Sequence, residues 1–452
     1  MTNLSTQFLI SFRYIFEFNY KNSFERKIIF SQIFDHIKEN DSLDHFFGKI
    51  FDNHELNNEN IILWLFEYNL NFKTKKFYKK KSLLKNKEYR FIQKLNTPLD
   101  IISILVIYVK LLNSYRIIAK KLPSIEIDGL KSKLLPREYF CFLVNGFLPL
   151  KELLIYNAFN KIIKFNNNLD TIIYPYEEKT IERAIILSAR KNKSKITTIG
   201  YCHSVHWNLH YWYHIRKDPI ANSPRPNIYL VTGPYEKYWL NKIAKVPKEK
   251  IKIIGSNRYV EKKYPFPESI FEKNILKILV TVGQASDMNI LANYVEDQID
   301  IFKQCHLLIR KYPFSWIIEQ NAGISRIKNH VKNITISNTE SLESQIEWSD
   351  IILYNSSSCG IIGMLSGRIS INVALHDILY WDPFEKRGSK NSVIHCSSAS
   401  ELKKIIHNLR TLNSKRYEII QKKQYSYAKN VYAPLEDDVI FELLSKNSFT
   451  KN

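Results

Sequence analysis

Three carboxylates stand close together in Tyr174-Pro175-Tyr176-Glu177-Glu178-Lys179-Thr180-Ile181-Glu182-Arg183-Ala184. A carboxylate whose pKa is lifted by burial or by a like-charged neighbour can take a proton from a hydroxyl, so such a cluster can supply a general base. Thr180 is placed to cap a helix whose apolar stripe is Ile181, Ala184 and Ile185. Glu177 and Glu178 then fall on the loop ahead of that helix. Glu182 falls in its first turn, where a carboxylate also favours the helix dipole. A little further on, Tyr201-Cys202-His203-Ser204-Val205-His206-Trp207, continued by His210, Trp212 and His214, gathers imidazoles and aromatic rings in a short segment. Tyr201, His203, Ser204 and His206 could stack on and hydrogen-bond a sugar. The histidines lack the acidic or thiolate partner that zinc motifs space with them, so no metal is expected.

A second group of residues suits phosphate. Ile253-Ile254-Gly255-Ser256-Asn257-Arg258 ends an apolar run with a guanidinium able to fork onto a phosphate. Val282-Gly283-Gln284-Ala285-Ser286 is a glycine turn after another such run, able to bring backbone N–H groups to a ligand. The strongest local pattern is Asp350-Ile351-Ile352-Leu353-Tyr354-Asn355-Ser356-Ser357-Ser358-Cys359-Gly360-Ile361-Ile362-Gly363. An apolar strand there runs into three hydroxyls and then a helix whose opening turn offers N–H donors, a ready phosphate site. Ser357 or Ser358 capping the helix is the plainer role, and the two coexist.

These residues need a scaffold, and the alternation around them supplies one. From about Leu169, short β-branched or aromatic runs alternate with amphipathic stretches. The expected strands are Thr171–Tyr174, Ile196–Gly200, Asn227–Thr232 and Ile251–Ile254, then, after the link Tyr264-Pro265-Phe266-Pro267, Lys277–Val282, Leu307–Arg310, Ile334–Ser337, Ile351–Tyr354, Ile369–Val373 and Val393–Cys396. Helical patterns cover Asp287–Lys303, Ser341–Trp348, Cys359–Leu365 and Ser398–Leu412. Strand and helix in alternation predict parallel sheets. The fold class is α/β, with two Rossmann-like domains facing a cleft and a largely helical N-terminal portion. The first domain is expected over 1–258 (1–165 mostly helical, 166–258 Rossmann-like), the second over 259–430, and a helix or tail over 431–452. Ligands of such sheets bind beyond the carboxyl ends of the strands, where each cluster above falls.

Composition narrows the function classes. The 452 residues are 45% hydrophobic and 24% charged, which excludes disordered and fibrous proteins. The longest uncharged apolar run, Ile101 to Val109, is a strand or buried helix well short of the ~20 residues that cross a bilayer, so no spanning helix is expected. The first residues lack the pattern of a secretory signal, and the expected location is the cytoplasm. Five scattered cysteines form no C-x-x-C pair, against a disulfide framework or zinc site. The net charge of +22 attracts phosphates and anionic surfaces, although an AT-rich codon bias toward Lys and Asn produces the same excess. Lys73 to Arg90, with eight Lys and one Arg against Glu88 and with Phe77, Tyr78, Leu83 and Leu84 interleaved, could rest on an anionic membrane or form a solvated face.

Together these pieces resemble a glycosyltransferase of the GT-B type. Tyr174-Pro175-Tyr176-Glu177 with Glu182-Arg183-Ala184, then Ile199-Gly200-Tyr201-Cys202-His203-Ser204, resembles a bacterial surface-carbohydrate biosynthesis family in which a Tyr-Glu…Glu-Arg-Ala stretch precedes Gly-Tyr-x-His-Ser. From Gly255-Ser256-Asn257-Arg258 through the triple serine, the chain is similar to bacterial transferases of CMP-activated acidic sugars, such as sialic acid and Kdo transferases. The resemblance covers roughly 169–385. It implies an acceptor in the first domain, deprotonated by Glu177 or Glu182, and a donor phosphate held by Ser356, Ser357 and Ser358. The His-Pro motif of the CMP-sugar enzymes stands here as Tyr312-Pro313, leaving Arg310, Lys311 or Arg258 to aid the leaving phosphate. The acidic residue of their Gly-x-Glu helix stands here as Ile362.

The expectation is therefore a metal-independent, inverting glycosyltransferase without cofactor. Its donor is a nucleotide-sugar bound by Arg258, Gly283, Gln284, Arg310, Tyr312, Pro313, Asn355, Ser356, Ser357, Ser358 and Gly360, and its acceptor is a surface-polysaccharide or lipid-linked glycan. Rivals on the same fold are a polyol-phosphate transferase, which the missing histidine disfavours, and a nucleotide-sugar epimerase. A basic nucleic-acid-binding protein is the non-enzyme rival, and the sequence shows no recognisable module for it.

Overall fold

Strands buried on both faces read as unbroken apolar runs, and such runs build both sheets of this protein. The structure, a computed structural model, describes residues 27–33, 46–48, 50, 61–67, 88–91, 95–121, 125–127, 130–132, 148–192, 195–206, 213–215, 224–261, 266–271, 273–283, 287–311, 317–337, 341–355, 357–373 and 392–444. They fall into two units, one within Met1–His203, Ile215–Leu230 and Ile440–Asn452, the other within Ser204–His214 and Val231–Val439. The chain passes between these units near 203, 214, 230 and 439; the boundaries expected from the sequence lay at 258 and 430.

The first sheet comprises β1 (Lys27–Ile33), β2 (Ile61–Glu67), β3 (Glu88–Phe91), β6 (Thr171–Pro175), β7 (Thr197–Cys202), β8 (Ile228–Val231) and β9 (Ile251–Ile253), in the order β3-β2-β1-β6-β7-β8-β9. The short strands β4 (Ile125–Ile127) and β5 (Leu130–Ser132) pair separately and antiparallel. With that pair set aside, the order is the doubly wound one, and its switch point lies between β1 and β6. β1, β2 and β3 lie in the stretch expected to be mostly helical, so 1–165 supplies sheet as well as helix. The runs KIIFSQI and IILWLFE are short and rich in apolar residues, and periodicity alone does not separate such runs from buried helix.

Among the described helices of this unit are α1 (Pro98–Lys121), α2 (Leu148–Phe165) and α3 (Thr180–Asn192). The expected strand or buried helix at Ile101 to Val109 is the middle of α1, and it is not wholly buried. Ile101 and Ile104 are inside, whereas Ile102, Val106, Ile107 and Val109 are exposed. By length and composition Pro98–Tyr115 could cross a membrane, contrary to the sequence-based expectation. α3 buries Ile181, Ala184, Ile185, Ile186 and Ala189, the face its 3.6-residue periodicity predicted.

The second sheet comprises β10 (Leu276–Val282), β11 (Cys305–Arg310), β12 (Ile334–Ser337), β13 (Ile351–Asn355), β14 (Ile369–Val373) and β15 (Ile394–Cys396). Its order, β12-β11-β10-β13-β14-β15, is again doubly wound, and its pairs are parallel. Side chains alternate between two cores. Ile278, Val280, Leu307, Ile309, Ile351 and Leu353 enter one, and Leu279, Leu308, Ile352 and Tyr354 the other. Around the sheet lie α4 (Pro234–Tyr238), α5 (Asp287–Asp297), α6 (Ile299–Phe302), α7 (Ile317–His330), α8 (Leu342–Trp348), α9 (Ser358–Leu365), α10 (Ala399–Thr411) and α11 (Ser414–Val431), followed by α12 (Asp437–Leu444). The helix expected over Asp287–Lys303 breaks at Gln298, whose φ of −131° and ψ of 46° leave the helical region.

Candidate functional site

Parallel register decides what meets at the end of the first sheet. Tyr174 lies opposite Gly200 and Pro175 opposite Tyr201, and the Tyr176 N–H donates to the Tyr201 carbonyl at 2.8 Å. The two chains therefore leave the sheet in step, which brings Glu177 beside His203, with His203 Nε2 3.2 Å from Glu177 Oε1. Lys179 pairs with the other Glu177 oxygen. The His203 ring meets Phe46 edge-on at 4.4 Å. Its side chain is 9% exposed and that of Glu177 27%, so the pair is held yet reachable. Burial works against the charge on Glu177, but the hydrogen bond and charge of His203, joined by Lys179, win and hold it well below the usual carboxylate range. A charged carboxylate fixing an imidazole is acid–base equipment.

The neighbouring carboxylates do other work. Glu178 has φ of 61°, in the left-handed region that side chains rarely adopt. Its fully buried carboxylate compensates by taking Tyr176 Oη at 2.6 Å, the Arg183 guanidinium at 3.2 Å and Arg225 Nη1 at 3.1 Å. Glu182, expected as an alternative base, is a loop anchor. Lys179 O accepts the first helical N–H bonds, so Lys179 and not Thr180 caps α3. Glu182 reaches back to the Lys179 N–H at 2.9 Å, the reciprocal half of a capping box. Both its oxygens also take the Glu177 N–H at 3.0 Å. Burial pushes its carboxyl well above the ordinary value, as a base would require, but the side chain is spent on the loop that presents Glu177. Gly200 admits Tyr176 to this corner, since a Cβ there would lie 2.9 Å from the Tyr176 Cβ and ring.

The expected wall of Tyr201, His203, Ser204 and His206 does not form as one surface. Tyr201 is core, with no exposure and stacked on Phe47 at 5.6 Å. Ser204 and His206 belong to the second unit. There His206 is buried, its Nδ1 2.6 Å from Glu236 Oε2 and its ring stacked on Trp239 at 4.8 Å. His203, singled out by its strand-end position, lies beside Glu177; nothing in the sequence marked Glu236 or Arg225 as the partners of His206 and Glu178.

In the second unit, β10 and β13 flank the switch point. Val282 lies opposite Asn355, and the Gly283 N–H donates to the Asn355 carbonyl at 2.8 Å. Asn355 Nδ2 reaches the Val373 carbonyl at 2.8 Å, tying β13 to β14. Ser357 caps α9, accepting from the Cys359 N–H at 3.3 Å. Ser358 opens the helix. Arg310, at the end of β11, donates to Gln345 Oε1 at 2.9 Å. Arg258 reaches Tyr432 Oη at 3.2 Å and lies over that ring. Gly360, expected near the donor, is instead a packing residue: a Cβ would lie 2.5 Å from the Tyr354 ring, so the glycine lets α9 sit down on β13. Gly283, Asn355, Ser357 and Ser358 thus share the carboxyl end of one sheet. Gln284, Tyr312, Pro313, Ser356 and most of Lys73 to Arg90 lie outside the described residues. Among the described residues no group of three or more His, Cys, Asp or Glu side chains is arranged to hold a metal.

No protein-family model matches the chain, and no characterised protein matches it in sequence. Solved structures do match. MurG from Acinetobacter baumannii is 11% identical, with TM-score 0.49 over 93% of this chain and all of that one. HepE from Anabaena, in complex with UDP and glucose, is 10% identical, with TM-score 0.49 over 93% and 98%. The UDP-GlcNAc 2-epimerase from Neisseria meningitidis, bound to UDP-GlcNAc, is 12% identical, with TM-score 0.53 over 93% of this chain and all of that one. With the two doubly wound parallel sheets, this likeness gives the protein a pair of Rossmann-like units of the kind that make up the GT-B fold.

Proposed function

We propose that the protein is an inverting glycosyltransferase that activates an acceptor hydroxyl at the Glu177–His203 pair and binds a nucleotide-sugar at the switch point of the second sheet. The observation that carries the reading is the pair itself, a strand-end imidazole held 3.2 Å from a carboxylate kept charged. The hydroxyl proton passes to the pair as the oxygen attacks the anomeric carbon, and the bond from that carbon to the leaving phosphate breaks. Negative charge then grows on the phosphate, where N–H donors at the opening of α9, the Ser357 and Ser358 hydroxyls and the Arg258 guanidinium stabilise it. Donor contacts are assigned to Arg258, Gly283, Asn355, Ser357 and Ser358. A CMP-linked acidic sugar is the donor the motif resemblance implies, and a lipid-linked or surface glycan is the acceptor.

Melting the protein with CMP-, UDP-, GDP- and CDP-linked sugars identifies the donor, because a ligand that binds only the folded state raises its midpoint. With that donor, Glu177→Gln and His203→Ala are expected to slow nucleotide release by about 10²- to 10⁴-fold. Arg258→Ala is expected to raise the donor KM by roughly tenfold, as loss of a charge-assisted hydrogen bond does. Wild-type rates in the first two variants remove the proposal. The same acid–base pair would serve an epimerase, which converts its substrate with no acceptor present; product analysis without acceptor separates the two.

A further inference from the structure

We propose that the outer face of α1 docks the protein on an anionic lipid bilayer. Leu99 is 75% exposed, and Ile102, Val106, Val109 and Ile117 are 49%, 50%, 54% and 59% exposed. Their spacing of three, four, three and eight residues places them on one stripe, about 27 Å long at ~1.5 Å per residue. Exposed apolar surface of that extent is uncommon on soluble proteins and marks a contact with something apolar.

The opposite face fixes how the helix can meet a membrane. Ile101 and Ile104 are buried, Asp100 is bonded by Lys161 of α2, and Asn96, just ahead of α1, donates to the Leu154 carbonyl at 3.0 Å and accepts from Asn157 at 2.9 Å. A helix pinned along one side to its own unit cannot turn every face to lipid. It can lie in the interface with its outer stripe among the upper acyl chains. The charges point to an anionic surface. Lys110 and Lys120 are exposed on the outer side, and the one acidic residue of α1, Asp100, is turned to the inner side and held there. A second copy meeting this face by two-fold symmetry would bring two cationic surfaces together with no outward acid to offset them, whereas anionic headgroups complement them.

The test uses the full chain and vesicles of phosphatidylglycerol mixed with phosphatidylethanolamine, compared with phosphatidylcholine alone, and it requires no substrate. Co-sedimentation with the anionic vesicles is expected, weakened by salt and by Lys110→Glu with Lys120→Glu. Ile102→Asn with Val106→Asn is expected to lower the partition coefficient by roughly 30-fold at an unchanged melting midpoint, since two half-exposed side chains lose their transfer to lipid. Failure of the wild type to bind, or equal binding by the asparagine variant, overturns the proposal. So does a wild type that sediments as a dimer without vesicles when the asparagine variant is monomeric, which would identify a second copy as the occupant.

Discussion

Replacing Glu182 separates an anchor from a base. Its side chain is 2% exposed and receives the N–H groups of Glu177 and Lys179. Glu182→Ala removes two hydrogen bonds at about 1 kcal/mol each. It also removes buried methylenes, for about 1 kcal/mol more. The sum, roughly 3 kcal/mol, corresponds to a fall in melting midpoint of about 6–12 °C for a unit of some 150–250 residues. Glu182→Gln keeps an oxygen for the N–H groups. Burial already disfavours the charge, because the raised pKa makes the protonated form the more stable one below it and the ionised form costly above it. Gln is therefore expected to retain most of the stability and to release nucleotide within a few-fold of wild type. Calorimetry or circular dichroism gives the midpoints, and the donor assay gives the rates. A Gln variant with native midpoint and no turnover, or an Ala variant with native midpoint, refutes the reasoning.

Other outcomes follow from neighbouring features. Gly360→Ala drives a methyl into the Tyr354 ring and is expected to cost about 1–3 kcal/mol. Pairing it with Tyr354→Leu should cost less than the sum of the two alone, a coupling measurable in a double-mutant cycle. Glu177, with its depressed folded-state pKa, stabilises the protein above the unfolded value of about 4.3, and that contribution is lost as pH falls through the folded value. Glu177→Gln should therefore lower the melting midpoint at pH values above about 4.3 and flatten the acid limb of its profile.

From Thr171 onward the strands were legible to within a residue or two, because each is a short β-branched run closed by turn residues. Ile334–Ser337 and Ile369–Val373 coincide with expectation. Before Thr171 the same physics misled. β1 and β2 lack the glycine turns that follow later strands, and the buried Lys27 interrupts the apolar signature. Within the candidate site, Glu177 and His203 were picked out because each follows a strand, and the parallel sheet makes residues after adjacent strands neighbours. The separate jobs of Glu178 and Glu182 were not, because a left-handed φ and a side chain folded back on its own helix cap leave no trace in residue spacing. Gly360, a donor-binding candidate by its place after the serines, answers the bulk of Tyr354.

Lys27 has one more consequence. Its ammonium, 2% exposed, donates at 2.7 Å to the carbonyl of Leu443, 416 positions later in the chain. During synthesis the strand that carries Lys27 must therefore wait, with a cation it cannot bury unaided, until Leu443 has left the ribosome. A chain stopped short of Leu443 would keep that amine from its place.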